Sequence, residues 1–178
     1  MESKREQESY QREGVKQVAM ETTVEDVVIV GAGIAGLATA VALKRAGIEA
    51  LVLERSEGLR ATGAALTLYP NAWRSALDAL GISQKLATRY PPTLKGHVIY
   101  LDTGEVQEVS RPITNEVPVG PRCLHRKALL EALADELTIH SVRFSSKISA
   151  IDTQQHEGSS LAIVHWENGT IIKTKVLI

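Results

Sequence analysis

The sequence is poor in cysteine and in aromatic residues, and neither sign of charge predominates. Its 178 residues include one Cys, one Phe, two Trp and four Tyr, with 20 Lys and Arg against 21 Asp and Glu. The single cysteine, Cys123, excludes an internal disulfide and is predicted to be a small buried residue. A formal net charge of -1 and so few aromatic rings argue against a nucleic acid partner, which needs a basic surface or stacking platforms.

Long apolar runs and metal-ligand spacings are also missing. Glycine and charged residues interrupt every apolar run well before about 18 residues, so no transmembrane helix is expected. No two histidines lie three or four residues apart and no cysteine pair accompanies them, so the sequence predicts no metal site. Residues 1–25 carry many acids and bases without an apolar core; they are predicted to form a disordered, solvated tail, and a cytoplasmic location is expected.

A chemically informative pattern begins at residue 27. The β-branched run Val27–Val30 predicts a buried strand of a parallel sheet. It leads directly into Gly31-Ala32-Gly33-Ile34-Ala35-Gly36, after which apolar residues recur at helical spacing up to Gly47. A second predicted strand, 49–53, ends at Glu54. Strand, glycine turn, helix, strand and acid within about 30 residues predict a dinucleotide-binding βαβ unit.

Each position in the turn has a physical role in holding a pyrophosphate. Gly31 permits the tight turn out of the strand, Gly33 lets phosphates approach the backbone because it has no Cβ, and Gly36 lets the helix pack closely on the strand. The first amides of the helix, around Ile34 and Ala35, are unpaired donors at the positive end of the helix dipole. These five residues are therefore candidate cofactor-binding positions.

The acid after the second strand is the other candidate binding group of the βαβ unit. A carboxylate at Glu54 can accept hydrogen bonds from the ribose hydroxyls of an adenosine. Because its negative charge would repel a 2′-phosphate, the site is expected to prefer FAD or NAD over NADP. The βαβ unit by itself does not separate FAD from NAD.

The segment from Val27 to Arg55 resembles the N-terminus of the FAD-dependent aromatic-ring hydroxylase-like monooxygenases, a family that includes salicylate hydroxylase, zeaxanthin epoxidase and plant monooxygenases. The likeness continues, in the family's order and spacing, over most of residues 27–178. It is carried by the stretches 59–66, 69–72, 77–81 and 124–130. The resemblance implies FAD as the cofactor and NAD(P)H as the co-substrate.

The resemblance also implies roles for two arginines. The glycine turn and Glu54 would hold the ADP half of FAD, Arg55 would lie in the adenosine pocket, and Arg126 would help to hold the cofactor from a later helix. The turn from Arg60 to Gly63 would approach the flavin. An anion beside Arg126 would also relieve the unfavourable placement of a cation at a helix N-terminus. Three other arginines are predicted to be surface charges: Arg60, Arg111 and Arg122.

The remaining pattern predicts the rest of the secondary structure. Helices are predicted over 71–80 and 126–137, and strands over 95–101, 105–110, 139–144, 147–153, 161–166 and 170–175, with turns at 102–104 and 168–169. The last three strands would form an antiparallel meander, and Val176-Leu177-Ile178 would begin a separate strand that returns to the parallel sheet. With the sequence stopping there, Val27–Val30 is expected to be short of neighbouring strands. Residues 26–178 are thus predicted to form an α/β, Rossmann-like FAD-binding domain that is incomplete at its C-terminus, with 94–120 in the sheet on the substrate side.

The expected function is that of an FAD-binding oxidoreductase that hydroxylates or epoxidises a small organic substrate with NAD(P)H and O2. Family members are longer, and two later motifs that contact the flavin are not in these 178 residues, so no catalytic residue is predicted. The alternative is a non-catalytic truncated paralogue or splice form that binds nucleotide or pairs with a full-length relative. An NAD-dependent dehydrogenase is disfavoured because nothing after Glu54 resembles a second nucleotide-binding half.

Overall fold

The computed structural model describes residues 24–59, 63, 65–110, 113–114, 117–118, 120–156 and 158–178. Most of the predicted N-terminal tail lies outside these residues, as do Arg60 and Arg111. The described residues form three α-helices, α1 (Ile34–Arg45), α2 (Ser83–Ala87) and α3 (Arg126–Ala134), and a π-helical segment, Ala72–Leu77. The strands are β1 (Val24–Val30), β2 (Leu51–Leu53), β3 (Ala65–Leu68), β4 (Lys95–Ile99), β5 (Val106–Ser110), β6 (Ile113–Thr114), β7 (Val117–Pro118), β8 (Arg122–His125), β9 (Val142–Arg143), β10 (Ile148–His156), β11 (Ser159–Trp166) and β12 (Ile171–Leu177).

A six-stranded sheet forms the centre of the fold, in the order β10-β11-β12-β1-β2-β9. Strands β12, β1, β2 and β9 run parallel, and Val28 of β1 lies opposite Leu177 on one side and Leu51 on the other. Strands β10, β11 and β12 form the predicted antiparallel meander, with the predicted turn at 168–169 between the last two. The α/β class, with its βαβ unit and mixed sheet, is confirmed.

Strand β12 corrects two expectations from the sequence. It closes the meander against β11 and also pairs in parallel with β1, because a strand has two hydrogen-bonding edges: Thr174 lies opposite Ala162 on one edge and Glu25 on the other. The separate returning strand predicted from Val176 is therefore the end of the same strand. The expectation that Val27–Val30 is short of neighbours is wrong, since β1 is paired on both sides.

The two faces of the sheet bury different apolar clusters. Neighbouring residues of a strand point to opposite faces, so Ile29 packs with Leu37 and Val41 of α1 while Val28 packs with Val164 of the meander. Leu37 is 0% exposed and Val41 is 1% exposed. The face of α1 that is buried against the sheet therefore holds the helix in place behind the glycine turn. No helix within the described ranges has the length and apolar character needed to cross a membrane.

The helix predicted over 71–80 is present, but its geometry differs from that of an α-helix. Its centre is π-helical, with the N–H of Asp78 donating to the carbonyl of Trp73, five residues earlier, at 3.2 Å. Trp73 and Leu77 are both buried. The wider turn thus still presents these two side chains to the core.

Two predicted boundaries are too generous. Helix α3 ends at Ala134 rather than 137, because the chain tightens there into shorter-range bonds such as that from the N–H of Leu137 to the carbonyl of Ala134, at 3.0 Å. The strand predicted over 139–144 is reduced to β9, because a turn closed by the N–H of Ser141 on the carbonyl of Thr138 precedes it.

Cys123 is exposed, which contradicts the prediction that it is buried. Strand β8 pairs with β3 in a two-stranded sheet, and alternation along β8 directs Leu124 into the core and Cys123 to the opposite face. The prediction failed because a small apolar residue in a strand is buried only when the face of the sheet to which it points is covered.

Arg122 is partly buried and is not the surface charge that was predicted. Its guanidinium lies 4.5 Å from the ring centroid of Trp73 and donates to the carbonyls of Ala87, at 3.3 Å, and Tyr90, at 2.5 Å. Burial lowers the pKa of Arg122 from its usual range. The side chain therefore connects β8 to the C-terminal end of α2 through these hydrogen bonds.

Strands β4 and β5 confirm the predicted hairpin through 102–104. All residues of both strands are exposed, including Val98, Ile99, Val106 and Val109. Within the described residues this hairpin pairs only with itself. It is therefore a separate two-stranded sheet and does not extend the six-stranded one.

Candidate functional site

The glycine turn between β1 and α1 has the tight geometry that its sequence predicts. Gly31 adopts a φ of +104°, a conformation that side chains disfavour, and its N–H donates to the carbonyl of Leu53 at 2.7 Å. A Cβ on Gly36 would lie only 2.0 Å from the carbonyl oxygen of Gly31. The first turn of α1 is therefore in direct backbone contact with the end of β1.

The N-terminus of α1 presents backbone donors next to open space. Gly33 precedes the helix, and a Cβ built there would meet no atom within 4 Å. The carbonyl of Gly33 accepts the first helical bond, from Leu37 at 3.0 Å, whereas among the described residues no acceptor faces the N–H groups of Ile34 and Ala35. The first turn carries no acid. Such a helix end favours an anion, by the alignment of its peptide dipoles and by its unpaired donors.

Glu54 lies directly after β2 and is held by its backbone on both sides. Its N–H donates to the carbonyl of Arg143 at 2.9 Å, and its own carbonyl accepts the N–H of Ser146 at 2.8 Å. The carboxylate accepts the N–H of Ala32 on Oε2 at 2.8 Å and that of Ser56 on Oε1 at 2.9 Å. The acid therefore contacts the glycine turn as well as bordering the space in front of it.

A cavity of about 490 Å³ opens at this edge of the sheet. It brings together five of the eight predicted cofactor-binding residues: Gly31, Gly33, Glu54, Arg55 and Arg126. The other three predicted residues, Ile34, Ala35 and Gly36, lie in the first turn of α1 directly behind Gly33. The cavity is completed by Val30, Ala32, Leu53, Gly58, Leu59, Ser146, Lys147 and Ile148.

Arg126 is the first residue of α3 and lines this cavity. Its stem packs on Gly63, where an added Cβ would lie 3.1 Å from Cδ and 3.4 Å from Cβ of Arg126. Gly63 belongs to the turn that the resemblance predicts to approach the flavin. Residues 60–62 of that turn lie outside the described residues.

The cavity is also lined by Ser146, Lys147 and Ile148, which were not predicted from the sequence. The chain bends here at Ser145, which has a φ of +54°, and the N–H of Ser145 donates to the carbonyl of Ser56 at 2.9 Å. This segment follows β9, whose carboxyl end lies at the same sheet edge as those of β1 and β2. The parallel arrangement of these strands is the signal that could have identified it.

The charged side chains that line the cavity favour a ligand that has both an anionic group and a hydroxyl-rich group. Among the described residues, three cationic side chains, Arg55, Arg126 and Lys147, line the cavity with a single acid, Glu54. Lys147 also pairs with Glu167 at 2.7 Å, so part of its charge is already compensated. Together with the donor end of α1, this arrangement can bind a phosphate ester that carries a hydroxyl-rich group.

Comparison with known proteins agrees with this chemistry. Residues 24–171 match the family described as FAD binding domain. Monooxygenase 2 of Arabidopsis thaliana is 44% identical over 153 residues, which cover 86% of this chain and 36% of that protein. 3-Hydroxybenzoate 6-hydroxylase of Klebsiella oxytoca is 31% identical over 134 residues, which cover 72% of this chain and 33% of that protein. The chain thus spans about a third of the length of these relatives.

Solved structures share the fold at lower identity. p-Nitrophenol 4-monooxygenase of Pseudomonas putida superposes with a TM-score of 0.71 at 22% identity, over 88% of this chain and 40% of that one. HpxO of Klebsiella pneumoniae, solved with FAD and uric acid, superposes with a TM-score of 0.68 at 23% identity, over 86% of this chain and 38% of that one. The family resemblance predicted from the sequence is confirmed, and the chain belongs to the FAD-binding domain family.

Proposed function

We propose that the cavity holds the ADP half of FAD, and that the protein is an FAD-dependent monooxygenase that uses NAD(P)H and O2 on a small organic substrate. One observation carries this proposal: the open glycine turn, the donor end of α1 and Glu54 meet at a single cavity of about 490 Å³. Relatives that hydroxylate 3-hydroxybenzoate and urate support an aromatic substrate.

The pyrophosphate is expected to lie over Gly33, where there is space for it to approach the backbone. The amides of Ile34 and Ala35 would donate to its oxygens, and the dipole of α1 would add about 0.3–1 kcal/mol per charge at an exposed site. Arg126 would face the same oxygens from α3, with a charge-assisted hydrogen bond worth about 1.5–3 kcal/mol. The anion would also neutralise the cation at the start of α3.

The adenosine is expected to lie beyond Glu54. A carboxylate can accept the ribose hydroxyls while it keeps its bonds to backbone amides, because its two oxygens offer about four acceptor positions. The base would then rest between Arg55 and the wall formed by residues 146–148. The charge of Glu54 would repel a 2′-phosphate, which disfavours NADP in this site.

The bound cofactor would supply the electron-transfer and oxygen chemistry, and the residues described here would bind and orient it. The exposed β4–β5 hairpin, within residues 94–120, is proposed to lie on the substrate side. No described residue is proposed to be catalytic.

Ligand competition tests the proposed site. We expect the purified 178-residue chain to bind FAD, as measured by quenching of flavin fluorescence, and ADP to displace it. FMN, which lacks the adenosine half, should not compete, and NADP+ should compete more weakly than ADP. If FMN displaces FAD as effectively as ADP does, the assignment of this cavity is wrong. It is also wrong if FAD does not bind.

Turnover tests the proposed activity separately. If NAD(P)H oxidation by the FAD-bound chain rises when a hydroxybenzoate is added, these 178 residues carry the monooxygenase activity themselves. FAD binding without any substrate-dependent NAD(P)H oxidation would instead support the alternative considered from the sequence, a nucleotide-binding module that is not catalytic in this form.

A further inference from the structure

The Glu54 carboxylate joins two separate segments of backbone. Its Oε2 accepts the N–H of Ala32, at 2.8 Å, in the middle of the glycine turn. Its Oε1 accepts the N–H of Ser56, at 2.9 Å, in the turn that follows β2. Both oxygens therefore have partners within the protein itself, in addition to the ribose contact that a dinucleotide-binding acid is expected to make.

We propose that Glu54 is a positioning residue, which fixes the glycine turn in its binding conformation before any ligand arrives. This inference rests on the proposed nucleotide site for its functional consequence. By holding the amide of Ala32, Glu54 would set the orientation of the next peptide units, and the amides of Ile34 and Ala35 would face the space above Gly33.

Glu54 is suited to this role because its backbone cannot move freely. The N–H and carbonyl of Glu54 are bonded to Arg143 and Ser146, so only the side chain can adjust. The turn is anchored at its other end by the bond from Gly31 to Leu53, at 2.7 Å. The Ala32 amide is the link between these two anchors, and Ala32 is 6% exposed, so little water could replace the carboxylate.

The chemistry of the pair requires a carboxylate rather than an amide. Both partners are N–H donors, and an ionised carboxylate is an acceptor at both of its oxygens. A glutamine of the same length has one oxygen and one NH2 group, which would face one of the two N–H groups as a second donor. Glu54→Gln would therefore release only one of the two N–H groups, whereas Glu54→Leu, which has no acceptor, should release both Ala32 and Ser56.

Amide hydrogen exchange on the nucleotide-free chain tests the positioning role. We expect the Ala32 N–H to be protected in the unsubstituted protein, and Glu54→Leu to speed its exchange at least about tenfold while Leu37, in the core, is unchanged. Glu57→Leu is the matched control, because Glu57 is exposed three residues further along and its substitution makes the same change of charge. Equal exchange of Ala32 in the unsubstituted and Glu54→Leu chains would overturn the proposal.

The unsubstituted chain also provides a test that does not depend on the variant folding. If its Ala32 amide exchanges as fast as in an unstructured peptide when no nucleotide is present, Glu54 does not hold the turn and the proposal fails.

A nucleotide without ribose hydroxyls distinguishes two roles of Glu54: holding the glycine turn and binding the ribose. 2′,3′-Dideoxy-ADP should bind Glu54→Leu at least about tenfold more weakly than it binds the unsubstituted chain, because the turn is loosened. If Glu54 acts only on the ribose hydroxyls, this ligand should bind both proteins equally, which would overturn the proposal. A failure of the proposed function has a different signature: the unsubstituted chain would bind neither ADP nor its dideoxy analogue, whereas the exchange result would be unaffected.

Discussion

The carbonyl oxygen of Gly31 lies where a side chain on Gly36 would have to be, 2.0 Å from the position of its Cβ. The oxygen has little freedom to move, because Gly31 is held by its N–H bond to Leu53 and by its left-handed backbone conformation. The contact therefore sets how close α1 lies to the end of β1. The donor end of the helix is placed at the cavity by this backbone contact rather than by a side chain.

Substitution Gly36→Ala should therefore disrupt the fold of the βαβ unit. The added methyl group would force the helix and the turn apart, and overpacking of this severity is expected to cost about 3 kcal/mol or more of the free energy of unfolding. Urea denaturation followed by circular dichroism measures the change. A stability equal to that of the unsubstituted chain would show that the turn can relax and that the contact does not fix the helix.

Gly33→Ala is the companion substitution and should give the opposite result. Gly33 has an ordinary extended conformation, with a φ of -77°, and a Cβ there meets no atom within 4 Å. Stability should be unchanged or raised by up to about 1 kcal/mol, because alanine restricts the unfolded chain. The methyl group would occupy the space proposed for the pyrophosphate, so ADP affinity measured by calorimetry should fall at least about tenfold. Unchanged ADP affinity in a stable Gly33→Ala chain would place the pyrophosphate elsewhere.

The parts of the site that could be predicted from the sequence are those built by local rules. Glycine spacing, an apolar strand and an acid at the next strand's end lie within about 30 residues, and each has a specific backbone or charge requirement. Residues 146–148 were missed because their place in the cavity depends on β9 pairing with β2, a contact between segments about 90 residues apart in sequence.

The errors elsewhere also come from contacts that sequence patterns do not reveal. Arg122 was predicted to be a surface charge because nothing in the sequence indicated a role for it in binding the cofactor, but its partners are two backbone carbonyls and an aromatic ring. Strand β12 looked like two strands because its two pairings run in opposite senses, although one strand makes both.

Arg122→Met should destabilise the chain without a direct effect on the nucleotide site. The substitution removes the donors to the carbonyls of Ala87 and Tyr90 and the contact with Trp73. A loss of about 1–3 kcal/mol is expected, since partly buried acceptors lose a charged donor. Arg74→Met is the matched control, because Arg74 is exposed. Thermal denaturation of both variants measures the difference, and equal melting temperatures would mean that the Arg122 contacts add nothing to stability.

Gly63→Ala should weaken nucleotide binding by moving Arg126. A Cβ on Gly63 would lie 3.1 Å from Cδ of Arg126, so the stem of the arginine must shift by a few tenths of an ångström. Losing part of a charge-assisted hydrogen bond, which is worth about 1.5–3 kcal/mol in full, should lower ADP affinity several-fold. Gly96→Ala is the control, since Gly96 lies in the exposed strand β4, outside this cavity, and a Cβ there meets no atom within 4 Å.

A double-mutant cycle shows whether the effect of Gly63→Ala passes through Arg126. In an Arg126→Met background the guanidinium is already gone, so adding Gly63→Ala should produce no further loss of ADP affinity. Calorimetric titration of ADP into the four proteins gives the coupling free energy directly. If the two losses are simply additive, Gly63 acts on the nucleotide by another route, such as the adjoining turn. If they are not, the absence of a side chain at residue 63 is what allows Arg126 to reach the cavity.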